Sequence, residues 1–518
     1  MSADIEKSRG GFFGQPKGLS TLFFTEMWER FSFYGLRPLL VLFMAAAVMQ
    51  GGWGWDRSEA SAIVGIYAAC VYLASLPGGW IADKLLGLRR AVLIGGCLIS
   101  LGHLTIGASS FIPNKVPFFL GLVFIVLGTG LLKPNISAMV GDLYPEGGAR
   151  KDAGFSIFYM GINLGAFFGQ LITGFLGEKI GWHWGFTAAG IAMIIGLVQF
   201  WIMSSRTLGD IGMEPTRHPD PAIQAKQEMQ VKLFTGLGLA ILAIVIVLVA
   251  TGIIAVNAQV AGTYLAYVLV SIGFLYFAYL FIFGNLDSGE KKRVAVIAVL
   301  FVFAAIFWSA FEQTPTALNL FAQDFTNRTI GSFEMPATWF QSVNSLFIIL
   351  LAPLVAALWT FLGKRDINLS SPIKFTIGLS LTALAFVVMI FSSYVVVGGG
   401  GIKVSPFWLV GFYFFLTLGE LFVSPVGLSS MTTLSPKRYV GQMMGIWFLA
   451  SSVGNLIGGL VGGEVDPENL SAMPRLFTTT TLFLGGAAII LLLLSIPISR
   501  MMRNASKEEK VIDPIADA

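Results

Sequence analysis

Fourteen stretches of this chain stay apolar over the roughly 20 residues that a helix needs to cross a hydrocarbon core. They fall at about 19–48, 58–86, 89–110, 116–140, 152–178, 184–205, 232–255, 262–284, 293–322, 335–362, 373–396, 405–433, 439–463 and 475–499. In lipid, backbone N–H and C=O groups must find their partners inside the protein, so runs of this kind fold as spanning helices. The sequence therefore predicts an all-α membrane protein with 14 transmembrane helices. Charge usage agrees, because 12% of the 518 residues are charged, about half the share in a soluble domain. The net charge of +4 is too small and too dispersed to suggest a nucleic-acid partner. Cys70 and Cys97 both lie in apolar runs and read as packing residues rather than disulfide or metal ligands. Residues 1–18 are polar, and the first apolar run is too long for a cleavable signal.

Orientation follows from Lys and Arg. With a cytoplasmic N-terminus and alternating sides, 24 of the 33 basic residues fall in the cytoplasm and 6 opposite, leaving Arg30, Arg37 and Lys133 inside spans. A wrong span count would scramble that bias, so it supports fourteen spans with both termini cytoplasmic.

Spans 7 and 8 are almost free of charge, and a polar linker over 206–231 precedes them. They read as an inserted, lipid-facing pair over 232–284 with a packing role. Six spans remain on each side, giving an N-terminal bundle over 19–205 and a C-terminal bundle over 285–503. Tails at 1–18 and 504–518 complete the division. Two six-helix bundles with a binding site between them is the plan of the major facilitator superfamily. Residues 78–90, which run Gly-Gly-Trp-Ile-Ala-Asp-Lys-Leu-Leu-Gly-Leu-Arg-Arg, resemble its signature between the second and third helices. Asp83 and Arg90 there read as a conformational latch rather than a binding site.

Charges inside spans narrow the function. A charge near a helix centre costs roughly 2.5–3.5 kcal/mol on insertion scales. The first span carries Glu26, Glu29, Arg30 and Arg37, which the helical repeat puts along one face. Lys133 lies in span 4, Glu312 in span 9 and Glu420 in span 12. The bases all lie in the N-terminal half, while Glu312 and Glu420 lie in the C-terminal half. A cavity between the halves would be positive on one wall and negative on the other, which suits a zwitterion. Mutual pairing that merely holds helices together is the plainer reading, but it leaves the excess acids unexplained.

Three motifs resemble one family. Glu26, Glu29, Arg30, Phe31, Tyr34 and Gly35 resemble the ExxERFxYYG signature of proton-dependent oligopeptide transporters. Phe158, Tyr159, Asn163 and Gly165 resemble its FYxxINxG element, and Gly419 to Ser429 its GELxxSPxGLS element. The inserted helix pair is likewise a feature of bacterial members. The resemblance implies a proton-coupled symporter importing di- and tripeptides by alternating access, in a bacterial inner membrane. It implies no enzymatic activity and no cofactor beyond the proton as coupling ion; the partners are peptides, protons and the lipid bilayer.

Residue by residue, Glu26, Glu29 and Arg30 match the proton-coupling cluster, where two carboxylates beside one guanidinium can share a proton. Arg37 and Lys133 match the positions that meet the peptide carboxylate, Asn163 and Asn344 match amides that bond the peptide, and Glu420 matches the acceptor for its amino terminus. Glu312 matches a carboxylate that pairs with Arg37 in one gate state and is itself a protonation candidate. Tyr34, Tyr67, Tyr159, Trp308 and Trp447 would supply tolerant aromatic walls, with Ser451 one turn beyond Trp447. For the aromatics and both Asn residues, packing is the competing role. Two positions depart from the family. Phe33 replaces a motif Tyr, and Gly65 stands where some relatives carry a span-2 His. With His103, His183 and His218 elsewhere, proton coupling must rest on carboxylates. Other solutes on the same fold (nitrate, drug-like or amino-acid-derived), a membrane enzyme and a transport-like receptor are the alternatives. The intact Lys133, Asn163 and Glu420 set favours peptides, three scattered His and two Cys offer no catalytic cluster, and the tails are too short for a signalling domain.

Overall fold

The computed structural model describes residues 11–217, 219–367 and 369–512, with backbone alone over 502–512. The outer parts of both expected tails and His218 lie outside the described residues. Among these residues run fourteen long helices: α1 (Lys17–Ala45), α2 (Arg57–Ile81), α3 (Leu88–Ala108), α4 (Val116–Asp142), α5 (Gly148–Phe175), α6 (Trp182–Thr207) and α7 (Pro221–Ala250). The second seven are α8 (Ala258–Phe283), α9 (Ser288–Phe311), α10 (Trp339–Gly363), α11 (Ser371–Gly398), α12 (Phe407–Thr433), α13 (Val440–Val461) and α14 (Ala472–Ile512). Thirteen are long and apolar enough to cross a membrane by length and composition, α1 being the exception. Its 29 residues are sufficient; its five charged residues, Lys17, Glu26, Glu29, Arg30 and Arg37, set it apart.

Contacts divide the chain into two compact units. Unit 1 runs to Gly54 and resumes over Cys70–Asn257, whereas unit 2 holds Trp55–Ala69 and everything from Ala258. In unit 1, α1 packs on α5 and α6, while α3 packs on α4 and α6. Unit 2 repeats this scheme eight helices later, with α9 on α13 and α14 and α11 on α12 and α14. This is the internal repeat expected of the superfamily.

The units depart from the sequence boundaries in two places. The first half of α2 groups with unit 2 because glycines remove the side chains between backbones. A Cβ on Gly65 would lie 2.9 Å from the Gly459 Cα and 3.1 Å from the Asn455 carbonyl. Ser452 Oγ also donates to the Ala69 carbonyl at 2.7 Å. A His at position 65 has no room in this arrangement. The inserted pair divides likewise. Helix α7 goes with unit 1, where Phe234 stacks near Trp80. Helix α8 packs on α13 of unit 2, with Phe277 against Phe301 of α9.

Local chemistry sets several ends. The linker expected over 206–231 is already helical from Pro221, a residue preorganised for a first turn, and Asp220 caps it by accepting the Ala222 N–H at 2.8 Å. Asp287 and Glu290 form a capping box on α9. Arg438 then grips Glu290 with both guanidinium arms, Nη1 to Oε1 at 2.9 Å and Nη2 to Oε2 at 2.7 Å.

Span 9 is not one uninterrupted helix. After Phe311 the chain passes Glu312 and Gln313 and makes a wide turn over Thr314–Leu318, then a short helix Asn319–Phe325. Pro315 contributes no N–H to the ladder. The Leu318 N–H bonds the Gln313 carbonyl rather than that of Thr314. Gln341 Nε2 of α10 donates to the Thr314 carbonyl instead. Turns of this wide kind inside helices often mark functional sites.

Candidate functional site

Unit 1 places its charges on three helices. On α1, Arg30 Nε lies 3.1 Å from Glu26 Oε1 and is also paired with Glu29; all three residues are buried. The guanidinium of Arg30 stands over the rings of Phe33 and Tyr34, with centroids at 5.1 and 5.9 Å. Arg37, also buried, stands over Phe33 at 5.8 Å. Phe33 therefore lies against two cations, and the missing hydroxyl leaves an apolar face that an aromatic ring makes attractive to cations. Lys133 of α4 puts its ammonium 3.8 Å from the centroid of Tyr72 on α2. Asn163 of α5 is buried, and its amide donates to the Tyr159 carbonyl one turn back at 3.0 Å, while the Tyr159 side chain is exposed.

Arg37 and Lys133 each precede a proline within their helix, Pro38 and Pro134. Each proline removes one donor from the ladder next to the charge. The Asn135 amide donates to the Leu131 carbonyl at 2.6 Å and to the Gly78 carbonyl of α2 at 3.4 Å, tying α4 beside Lys133 to α2.

Unit 2 holds its carboxylates differently. Glu312 is buried in the break of α9, and Asn455 of α13 donates to its Oε1 at 3.1 Å. The same Asn455 amide bonds the Ser451 carbonyl at 2.8 Å, and Ser451 Oγ points back to the Trp447 carbonyl at 3.4 Å. Glu420 of α12 is buried and receives the Asn344 amide of α10 at 3.1 Å; that amide also reaches Thr417 Oγ1 at 3.0 Å. Tyr67 is buried in unit 2 with the first half of α2, and Trp447 is buried on α13. Trp308 lies one turn before Glu312, with its ring beside Phe307 and Phe311.

The latch residues lie at the turn between α2 and α3. Asp83 is exposed, and its carbonyl accepts the Thr216 N–H at 2.8 Å; Arg90 is exposed. Arg89 is the buried arginine of this loop and donates to the Gly209 carbonyl, while its own N–H bonds the Gly212 carbonyl at 2.9 Å. Residues 206–217 are thereby anchored to the turn.

Three residues join the site that the sequence reading did not name: Tyr72, Thr417 and Asn455. Asn455 carried a signal, since 447, 451 and 455 form one polar stripe at four-residue spacing. Tyr72 carried none, because an aromatic residue in a membrane helix is usually packing.

The POT family profile matches residues 89–471. The chain belongs to the POT family. Peptide transporter YePEPT of Yersinia enterocolitica is 48% identical, over 96% of this chain and 97% of that protein. A di-/tripeptide transporter of Lactococcus lactis subsp. cremoris is 37% identical over 88% and 90%. A solved peptide transporter POT in complex with sulfate is 40% identical, covers 95% of this chain and 97% of its own, and superposes with a TM-score of 0.86. The chain is thus a multi-pass membrane transporter with the major facilitator superfamily fold.

Proposed function

We propose that this transporter imports di- and tripeptides together with protons by alternating access. The observation that carries the reading is the opposite chemistry of the two units. Unit 1 presents Arg37 and Lys133, each set against an aromatic face. Unit 2 presents Glu420, oriented by an amide. A peptide is a zwitterion whose carboxylate suits the first pair and whose ammonium suits Glu420. Asn163 and Asn344 supply amides for its backbone. Tyr34, Tyr67, Tyr159, Trp308, Trp447 and Ser451 supply walls that tolerate varied side chains.

Proton coupling is assigned to Glu26, Glu29 and Arg30, with Glu312 as a second acceptor. Two carboxylates around one guanidinium leave one negative charge over, which a proton neutralises. Differential binding of proton and peptide to the occluded state then shifts the conformational equilibrium. An inward-negative potential adds about 2.3 kcal/mol per charge per 100 mV. Asp83 and Arg90 act in the latch. No covalent step or cofactor is assigned. The positive-inside bias supports both termini on the cytoplasmic side, and the bacterial relatives support an inner-membrane location.

The test is uptake of labelled dialanine into proteoliposomes with and without an inward proton gradient. Gradient-stimulated uptake competed by tripeptides and not by free alanine is expected. Absence of uptake by folded protein would move the substrate to another small solute.

A further inference from the structure

A cavity of about 480 Å³ lies within unit 2, walled by α8, α9, α13 and α14. From Phe301 of α9 to Gln313 in the break after it, the cavity spans twelve residues, roughly 18 Å at the helical rise. That is close to the depth of one leaflet, half of a hydrocarbon core of roughly 30 Å. Phe274 of α8 and Phe483 of α14 line it and are largely exposed on spanning helices, so the cavity opens toward lipid.

Its two ends differ. Phe274, Phe301 and Phe483 make one end wholly apolar. The other end holds Gln313, Thr480, Glu464 and Arg475. Arg475 is in the first turn of α14 and Glu464 just beyond the end of α13, so both stand at the level where spanning helices begin and finish. Gln313 lies deeper. It is buried, and its amide nitrogen donates to Thr480 Oγ1 at 3.2 Å and the Ser309 carbonyl at 3.4 Å. Its Oε1, shielded from solvent, has no donor. An acceptor left so in an apolar wall costs on the order of 1–3 kcal/mol, which a ligand N–H or O–H would recover.

We propose that this cavity binds a single-chain glycerophospholipid with a primary ammonium headgroup, that is, a lysophosphatidylethanolamine. Arg475 takes the phosphate and Glu464 takes the ammonium. The free glycerol hydroxyl, which lies between phosphate and chain, donates to Gln313 Oε1. The single chain fills the apolar end. A diacyl lipid lacks that hydroxyl, and a choline headgroup lacks N–H donors for Glu464. The site also gives the inserted helix α8 a use, as one wall of a pocket whose buried amide, Gln313, directly follows Glu312.

The experiment uses the full-length protein in phosphatidylcholine nanodiscs and a lysophosphatidylethanolamine with a photoreactive group in its chain. Crosslinks are expected in 301–313 and 476–484. Unlabelled lysophosphatidylethanolamine should compete about tenfold better than lysophosphatidylcholine or diacyl phosphatidylethanolamine, as loss of one good hydrogen bond implies. Ala305→Trp, which fills the cavity, should remove the crosslinks while dipeptide uptake shows that the protein is folded. Crosslinks spread over the outer face of α7, equal competition by the three lipids, or unchanged labelling in an active Ala305→Trp protein would each overturn the proposal. Competition on the unmodified protein keeps the test decisive if the variant fails to fold.

Discussion

Helices α1 and α9 occupy equivalent places in the two repeats, yet they carry their charges in opposite ways. Helix α1 is continuous for 29 residues and groups its charges, with Arg30 between two carboxylates and aromatic rings under both arginines. Helix α9 stops at Phe311, leaves Glu312 at the break, and borrows an amide from α13 to hold it. Glu420 is held the same way from α10. An ion-paired cluster resists the loss of any one charge, because removing one partner leaves the others uncompensated. An amide donates to a carboxylate oxygen in either protonation state, so an amide-held acid is free to exchange its partner ion. The first helix therefore holds its charges as a set, whereas the second unit orients its acids one by one through amides from neighbouring helices.

The largest effect should come from breaking the ion-paired side. Glu29→Gln is expected to abolish gradient-driven accumulation of dialanine while leaving counterflow exchange; accumulation that survives would remove Glu29 from coupling. Lys133→Ala comes next. Losing a charged hydrogen bond of about 1.5–3 kcal/mol should weaken dipeptide binding roughly 10- to 100-fold. C-terminally amidated dipeptides should scarcely notice, so an equal loss for both forms would argue against a carboxylate contact. On the amide-held side, Asn455→Leu removes one donor to Glu312. A net hydrogen bond of about 1 kcal/mol predicts a roughly fivefold fall in uptake rate, checked against Asn344→Leu measured in parallel. Phe33→Leu should be milder, about 0.5–1 kcal/mol in uptake affinity from lost cation–ring attraction. The smallest effect belongs to the histidines. His103→Gln and His183→Gln are each expected to retain proton-driven uptake, and uncoupling in either would end the carboxylate-only account.

Much of this was legible because membranes punish error. A buried charge is expensive in lipid, so Glu26, Glu29, Arg30, Arg37, Lys133, Glu312 and Glu420 stood out from their apolar surroundings without any structure. Span limits were legible for the same reason. What stayed hidden depended on contacts between distant segments. Nothing local marks Gly65 as the point where α2 meets Gly459, since glycine in a spanning helix has many uses. The wide turn after Glu312 needed Pro315 to be read together with Gln341, twenty-six residues away. Asn455 was half visible as part of a polar stripe. The inserted pair looked like one lipid-facing hairpin, yet its two helices pack in different units because Phe234 and Phe277 find different partners.

The burial of α1 also has a consequence in time. Among the described helices this is the first to be synthesised, and the neighbours of its charged face, Lys133 of α4 and Tyr72 of α2, come later in the chain. Helix α4 ends 97 residues after α1, at Asp142 against Ala45. At about 5–20 residues per second, that is a wait of roughly 5–20 s. Throughout it, four ionisable side chains have to be kept from bare hydrocarbon, so the insertion machinery must hold α1 back or shelter it until its covering helices arrive.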